Sequence, residues 1–240
     1  MNLYRALRRG TAFRVLTGHE PFVWVRPRPG VAEFGSKYGR WAIDTTRLDN
    51  STVMASFGLG EDVSFEDEVI ARFGCKVVGF DPTPRSVQYM ASRAQAPNFM
   101  HFPWALAAND GVIEFSAPPG AVADQVSASA FADYGACASS RISVHCRTLI
   151  GALTQAKVSG VDVLKLDIEG AEYPVLQQAA EQGWLSGVTQ LLVEFHHFLP
   201  GLHAGQTRAS LRLLRGLGFE VAWVGRTNHE YLLVREGSAG

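Results

Sequence analysis

From residue 51 onward, short apolar runs alternate with amphipathic stretches. Val53-Met54-Ala55-Ser56-Phe57 is an apolar run that stops at Gly58-Leu59-Gly60, as a buried parallel strand stops at its C-terminal end. Ser64, followed three residues later by Asp67, has the spacing of a capping box; Val69, Ile70 and Phe73 then give a helical face that Gly74 ends. Residues 76–81 predict the next strand. After Pro82-Thr83-Pro84 a helix is expected to about Gln95, because proline costs little in a first turn. A third strand is expected over residues 98–102. Asn109-Asp110-Gly111 is a turn signal ahead of the alternating Val112-Ile113-Glu114-Phe115. The rhythm then predicts strands over 142–147, 162–168, 189–196, 219–224 and 230–234, and helices over 148–156, 171–181 and 207–217.

Strands alternating with helices imply an α/β fold with a mostly parallel sheet wound on both faces. The last two strands, separated only by residues 225–229, predict an antiparallel hairpin at one edge. Such an ending is unusual for nicotinamide-binding sheets and typical of seven-stranded, Rossmann-like class I methyltransferase sheets. Residues 1–50 are expected to form an appendage packed on this core: a short amphipathic helix over 3–16, then a turn at Pro27-Arg28-Pro29-Gly30. Without a repeat or a low-complexity linker, residues 51–240 are expected to form one catalytic domain. Residues 117–140, rich in Ala, Ser and Gly, predict a long loop of the kind that serves as a substrate lid.

Composition narrows the class. With 47% hydrophobic and 19% charged residues among 240, the chain can fill a core, which excludes a disordered protein. A net charge of −1 gives no electrostatic case for a nucleic-acid partner. Arg5, Arg8, Arg9 and Arg14 make a local basic cluster, read as a solvated helix face with a lipid- or phosphate-binding arm as the alternative. No apolar stretch approaches the roughly 20 residues of a membrane span, and the N-terminus lacks a signal peptide's apolar run. Cys75, Cys137 and Cys146 have no C-x-x-C spacing, so buried thiols and a cytoplasmic setting are expected. Homo-oligomerisation stays open.

In a doubly wound sheet, ligands sit beyond the carboxyl ends of the strands where strand order reverses. The first strand runs into Phe57-Gly58-Leu59-Gly60-Glu61-Asp62, whose glycines would let a ligand approach the backbone. Asp81 and Pro82 end the second strand, and Asp81 follows Gly60 by 81 − 60 = 21 residues, where an acid suits the hydroxyls of an adenosine ribose; a plain turn is the alternative. A dinucleotide needs a third glycine and an uncluttered helix N-terminus. Here Val63 takes the glycine position, and Glu61 and Asp62 would repel a pyrophosphate. S-adenosylmethionine, with its amino-acid zwitterion and sulfonium, tolerates those acids and is the expected cofactor. Trp104 is expected to border the adenine, Tyr38 and Trp41 are candidates for the substrate wall, and Phe99 and Phe102 are expected in the core.

Four blocks carry a family resemblance: Ser56-Phe57-Gly58-Leu59-Gly60-Glu61-Asp62, Phe80-Asp81-Pro82-Thr83-Pro84, Leu164-Lys165-Leu166-Asp167-Ile168-Glu169-Gly170-Ala171-Glu172, and Val193-Glu194-Phe195-His196-His197. Together they resemble the FkbM-type methyltransferases, from about Tyr38 to the C-terminus. The resemblance implies O-methylation of hydroxyls, often on sugars and secondary metabolites, hence a small-molecule or glycan acceptor. One departure is Gln125-Val126-Ser127-Ala128-Ser129, where many relatives carry a histidine-containing loop.

Methyl transfer to an alcohol needs alignment and removal of a proton. Lys165 and Asp167 share one face of their strand, and Glu194 and His196 one face of theirs. If those strands are neighbours, Asp167, Glu194 and His196 converge. Two carboxylates and an imidazole would suit Mg²⁺, Mn²⁺ or Fe²⁺; alternatively His196 or His197 is the base, oriented by Glu194 or Asp167. Alternation points the two histidines to opposite faces, one to the site and one to the core. Lys165 is expected either to pair with a carboxylate or to act in catalysis, and Glu172 to stabilise its helix start. Three rival readings stay open: N-methylation, a nicotinamide-dependent oxidoreductase, and a silent nucleoside-binding module.

Overall fold

A computed structural model of the chain describes residues 9–94, 96–116 and 141–236. The expected lid at 117–140, with its departure at 125–129, lies outside those residues, as do Cys137 and the first part of the N-terminal helix. Helix α1 (Arg9–Leu16) leads into a hairpin of β1 (Val31–Phe34) and β2 (Trp41–Asp44), paired from Val31 opposite Asp44 to Phe34 opposite Trp41. Then come β3 (Val53–Phe57), α2 (Ser64–Phe73), β4 (Lys76–Phe80), α3 (Pro84–Ser92) and β5 (Phe99–Phe102). After β6 (Ala105–Leu106), β7 (Gly111–Ser116) and β8 (Arg141–Arg147), the alternation resumes with α4 (Leu149–Gln155), β9 (Val163–Leu166), α5 (Glu172–Glu181), β10 (Gln190–Glu194), α6 (Ala204–Gly216), β11 (Phe219–Val224) and β12 (Glu230–Arg235).

The seven-stranded sheet has the order β11-β12-β10-β9-β3-β4-β5. Every described pairing from β10 to β5 is parallel, and β12 runs antiparallel to both β10 and β11. The chain steps outward from β3 through β4 to β5, then returns to β9 on the other side of β3, so the order reverses between β3 and β9. That is the class I methyltransferase arrangement expected from the sequence, with one refinement: β12 inserts between β10 and β11, leaving β11 at the edge.

Strands β4, β9 and β10 are buried along nearly their whole length, because helices cover both faces. One face packs Leu153, Leu176 and Leu214 of α4, α5 and α6. The other packs Phe65 and Val69 of α2, Met90 of α3, and Trp41 and Ile43 of the hairpin. Gln190 ties the hairpin down: its side chain accepts from the Asp44 N–H and donates to the Asp44 carbonyl, both at 2.8 Å. Cys75 and Cys146 are buried free thiols.

Two local expectations are corrected. Residues 142–147 belong to a separate small sheet, β6-β8-β7. In β8 only Val144 and Cys146 are buried, the one-sided pattern of a strand with a solvent face, not of a strand inside a parallel sheet. The Ser64/Asp67 capping box does not form. Ser64 Oγ instead accepts from the Ser36 N–H, Asp67 pairs with Arg93, and Asp62 accepts from the Ser64 N–H to hold the helix start.

Gly58 has φ +82, and a Cβ built there would lie 1.7 Å from the Asp167 carbonyl oxygen. Both the left-handed backbone and the close approach of β3 to the end of β9 therefore demand glycine. Gly58→Ala is expected to destabilise the fold by about 2–4 kcal/mol, from strain and overlap together; thermal unfolding checks it, and an unchanged midpoint would contradict the packing described.

Candidate active site at the carboxyl ends of the parallel strands

The reversal between β3 and β9 opens a cavity of about 1020 Å³, at the upper end of small-molecule sites and roomy enough for a donor and an acceptor. Phe57, Gly58, Gly60, Glu61, Asp62, Asp81, Pro82, Trp104, Lys165, Asp167, Glu194 and His196 all line it, as do Tyr38 and Trp41. Phe99 and Phe102 do not; they pack against the hydrophobic core, as expected.

On the glycine-loop side, Asp81 is buried and its carboxylate is fully engaged. One oxygen accepts from the Leu59 and Gly60 N–H groups at 3.0 and 2.9 Å; the other accepts from the Thr83 N–H and hydroxyl at 2.8 and 2.6 Å. Four bonds fill a carboxylate's capacity. The spacing found an acid at the loop, but this acid shapes the loop from within. Glu61 meets Arg85 at 3.0 Å, and Asp62 accepts from the Ser36 hydroxyl at 2.5 Å, tying the glycine loop to the hairpin. Burial works against the Asp62 charge, but the bonds from Ser36 and Ser64 outweigh it and hold its pKa below the usual range. Stacked rings of Phe57 and Phe80 (4.3 Å), then Phe102 and Trp104 (4.8 Å), lead from the sheet to this end of the cavity.

Lys165 is buried in β9. Its ammonium donates to the Gly58 carbonyl at 2.9 Å, lies 3.4 Å from Glu66 and sits 5.2 Å from the centre of the Trp41 ring. Glu66 in turn accepts from Ser56 at 2.6 Å. The carboxylate expected for a buried lysine is thus Glu66, a residue the sequence reading passed over. Its signal was available: 66, 69, 70 and 73 form one helical stripe, and an acid on an apolar stripe needs a buried cation.

At the ends of β9 and β10, neighbours as required, the expected cluster assembles. His196 Nε2 lies 3.7 Å from Asp167, 3.5 Å from Glu169 and 3.9 Å from Glu194; its Nδ1 lies 3.4 Å from Glu172 without the alignment of a hydrogen bond. Glu172 does more than open a helix. Fully buried, it accepts from the His196 N–H at 2.8 Å and the Gly170 N–H at 2.9 Å. It thereby clamps the turn in which Glu169 is held at φ +53. Burial disfavours a charged His196, but contact with Glu172 and the charges of Glu169 and Glu194 overcome it, raising its pKa to about 10. Burial and then Asp167 push Glu194 well above the usual carboxylate range, His196 opposing them. Asp167 is raised chiefly by burial, against the pull of Lys165 and His196.

His197 is absent from the cavity wall, so of the adjacent pair only His196 reaches the site, although both lie in the turn beyond β10. His197 meets the buried Glu20 at 2.9 Å and Thr207 at 3.1 Å, with His229 Nε2 3.6 Å from the same carboxylate. Glu20 also accepts from Asn228 and Arg14, so this second cluster is a staple whose carboxylate is already neutralised. Glu230, from the start of β12, also reaches the cavity and was not foreseen.

The strand order and the site at its reversal define a class I methyltransferase fold. The model of the methyltransferase FkbM domain matches residues 48–221, and the chain belongs to that family. It is 28% identical over 156 residues to probable methyltransferase-like protein 24 of Rattus norvegicus and 27% identical over 156 residues to that of Homo sapiens. Each alignment covers 65% of this chain but only 36% of the relative's length. Among solved structures, fibrillarin of Aeropyrum pernix, in complex with S-adenosyl-L-methionine, is similar at 9% identity and a TM-score of 0.44, covering 90% of this chain and 85% of that one.

The raised pKa values carry a signed consequence for stability. His196 gains a proton preferentially in the folded state, so its contribution is complete below the ordinary histidine value and lost as pH rises through about 10. The raised carboxylates of Asp167 and Glu194 act in the same direction. The unfolding midpoint is therefore expected to fall between neutral pH and pH about 10, and His196→Gln is expected to flatten that fall. A midpoint that rises with pH, or an identical profile in the variant, would contradict the assignment.

Proposed function

We propose that the protein transfers a methyl group from S-adenosylmethionine to a hydroxyl of a saccharide or related metabolite. The observation that carries this reading is the convergence of Asp167, Glu194 and His196 in the same cavity as the glycine loop. Family membership supports the donor, and the acids at 61 and 62 disfavour a dinucleotide. The bound donor would supply an electrophilic methyl group. Gly58 and Gly60 give the close backbone approach, Pro82 and Trp104 flank the nucleoside end, and Asp81 keeps the loop open. Lys165, expected in catalysis or in pairing, is better read as a positioning residue, since its ammonium is engaged by Gly58 and Glu66.

The acid-base roles invert the first expectation. An imidazole with a pKa of about 10 is already protonated at neutral pH and is a poor base there. Glu194, whose carboxylate is raised, suits proton removal from the acceptor hydroxyl, and the His196 imidazolium beside it keeps enough of it ionised. His197, off the cavity, is assigned to packing.

A second reading rests on a specific observation. The Asp167, Glu194 and His196 donor atoms lie within 4.8 Å of one another, and His196 Nε2 stands near three carboxylates at 3.5–3.9 Å, the spacing of ligands around an ion. Hard oxygens with one imidazole fit Mg²⁺, Mn²⁺ or Fe²⁺, which would supply Lewis acidity to a bound hydroxyl.

Calorimetric titration tests the donor. Micromolar binding of S-adenosylmethionine is expected, with none for NAD⁺ and at least about a tenfold loss in Asp81→Ala as the loop collapses. Tight NAD⁺ binding, or no donor binding, would overturn the proposal. With an acceptor in hand, Glu194→Gln is expected to lower kcat by roughly 10²–10⁴. The rate should rise with pH as Glu194 ionises, and His196→Gln should move that limb to higher pH. Full activity after chelation would eliminate the ion; activity restored by Mn²⁺ would favour it.

A further inference from the structure

Large apolar side chains open to solvent concentrate in one stretch: Phe13 is 67% exposed, Leu16 86%, Phe22 65% and Trp24 45%. The segment at 22–26 lies along β11, with the Arg26 N–H donating to the Val221 carbonyl at 2.8 Å. Val23 and Val25 pack into the core, so the alternate positions, Phe22 and Trp24, face outward. Nothing in the packing requires those positions to be aromatic.

Beside them Phe22 and Trp24 share a surface groove of about 220 Å³ with Arg208, Arg212 and Arg215. These arginines are spaced i, i+4 and i+7 on α6, one face of the helix. Arg208 donates to the Gly18 carbonyl, which brings the chain just after α1 beside the groove. Among the described residues none of the three guanidiniums lies in ion-pair range of a carboxylate, although the chain as a whole has a net charge of −1. Unneutralised cations next to the unburied rings of Phe22 and Trp24 describe an anionic amphiphile as their complement.

We infer that this face docks on an anionic membrane surface, its apolar side chains entering the boundary between headgroups and acyl chains while Arg208, Arg212 and Arg215 meet lipid phosphates. No described helix is long and apolar enough to cross a membrane, so the contact is one of lying on the bilayer. The net charge of −1 gives no electrostatic case for a nucleic acid as the occupant. A symmetric contact between two copies would set the like-charged arginines against each other.

Flotation of the whole chain with vesicles tests this, using phosphatidylcholine alone and phosphatidylcholine mixed with phosphatidylglycerol. Binding is expected to the anionic vesicles, to weaken with added salt, and to drop about fivefold for each arginine neutralised in Arg212→Gln and Arg215→Gln, singly and together. Phe22→Ser with Trp24→Ser should abolish it with thermal unfolding unchanged; should that pair fail to fold, the single arginine variants decide. No flotation, equal flotation with both vesicles, indifference to all these variants, a stable dimer through this face, or preference for a single-stranded RNA would each overturn the inference.

Discussion

The ammonium of Lys165 is buried at the wall of the cavity, and the local architecture follows from the need to compensate it. A buried charge that loses a single partner costs about 3–5 kcal/mol. Glu66 supplies the counter-charge from α2, the Gly58 carbonyl supplies a hydrogen-bond acceptor from the loop after β3, and Trp41 supplies a ring face from the hairpin. One side chain on β9 thus gathers a helix, a loop and a hairpin that are far apart in sequence. The glycine loop cannot drift from β9 without stranding the charge, and any side chain at position 58 would strike the Asp167 carbonyl. The mouth of the cavity is set by that pair of constraints.

At the other end of the cavity the charge balance is reversed. There a single imidazole faces Asp167, Glu169, Glu172 and Glu194, so negative charge is in excess. Such a cluster persists only when its members share protons or hold a cation, and the raised pKa values of both His196 and Glu194 express that sharing. Glu172 keeps the arrangement from relaxing, because its two backbone bonds pin the turn after β9 to the end of β10. The acidic end suits removal of a proton; the glycine-loop end suits a ligand that must approach the backbone closely.

Most of the sheet was legible because strands buried on both faces read as short apolar runs with sharp glycine or acid ends. Residues 53–57 are a strand to the residue, and Asp167, Glu194 and His196 converge because β9 and β10 are parallel neighbours whose carboxyl ends lie side by side. Less was legible where long-range contacts compete with local signals. The Ser64 hydroxyl was drawn off by the hairpin loop, so its capping spacing misled. The one-sided β8 resembled any other strand until its partners were known. Asp81 marked the right place, yet only the hydrogen bonds reveal that its carboxylate is turned into the loop. Glu20 carried little local signal, since apart from Arg14 its partners His197, Asn228 and His229 lie about two hundred positions away.

That distant glutamate bears on the site through the backbone. His196 and His197 are consecutive where the chain turns after β10, and only His196 reaches the cavity, so each is a lever on the other. His196 is held at its N–H and ring by Glu172, and His197 is held by Glu20 and Thr207. The imidazole facing the cavity is therefore fixed from the front by the turn after β9 and from behind by the segment that precedes the hairpin. An appendage that supplies no described cavity residue before Tyr38 still helps to aim the group at the centre of the acidic cluster. The boundary between appendage and catalytic domain, clear in the sequence pattern, is not a boundary in the mechanics of the site.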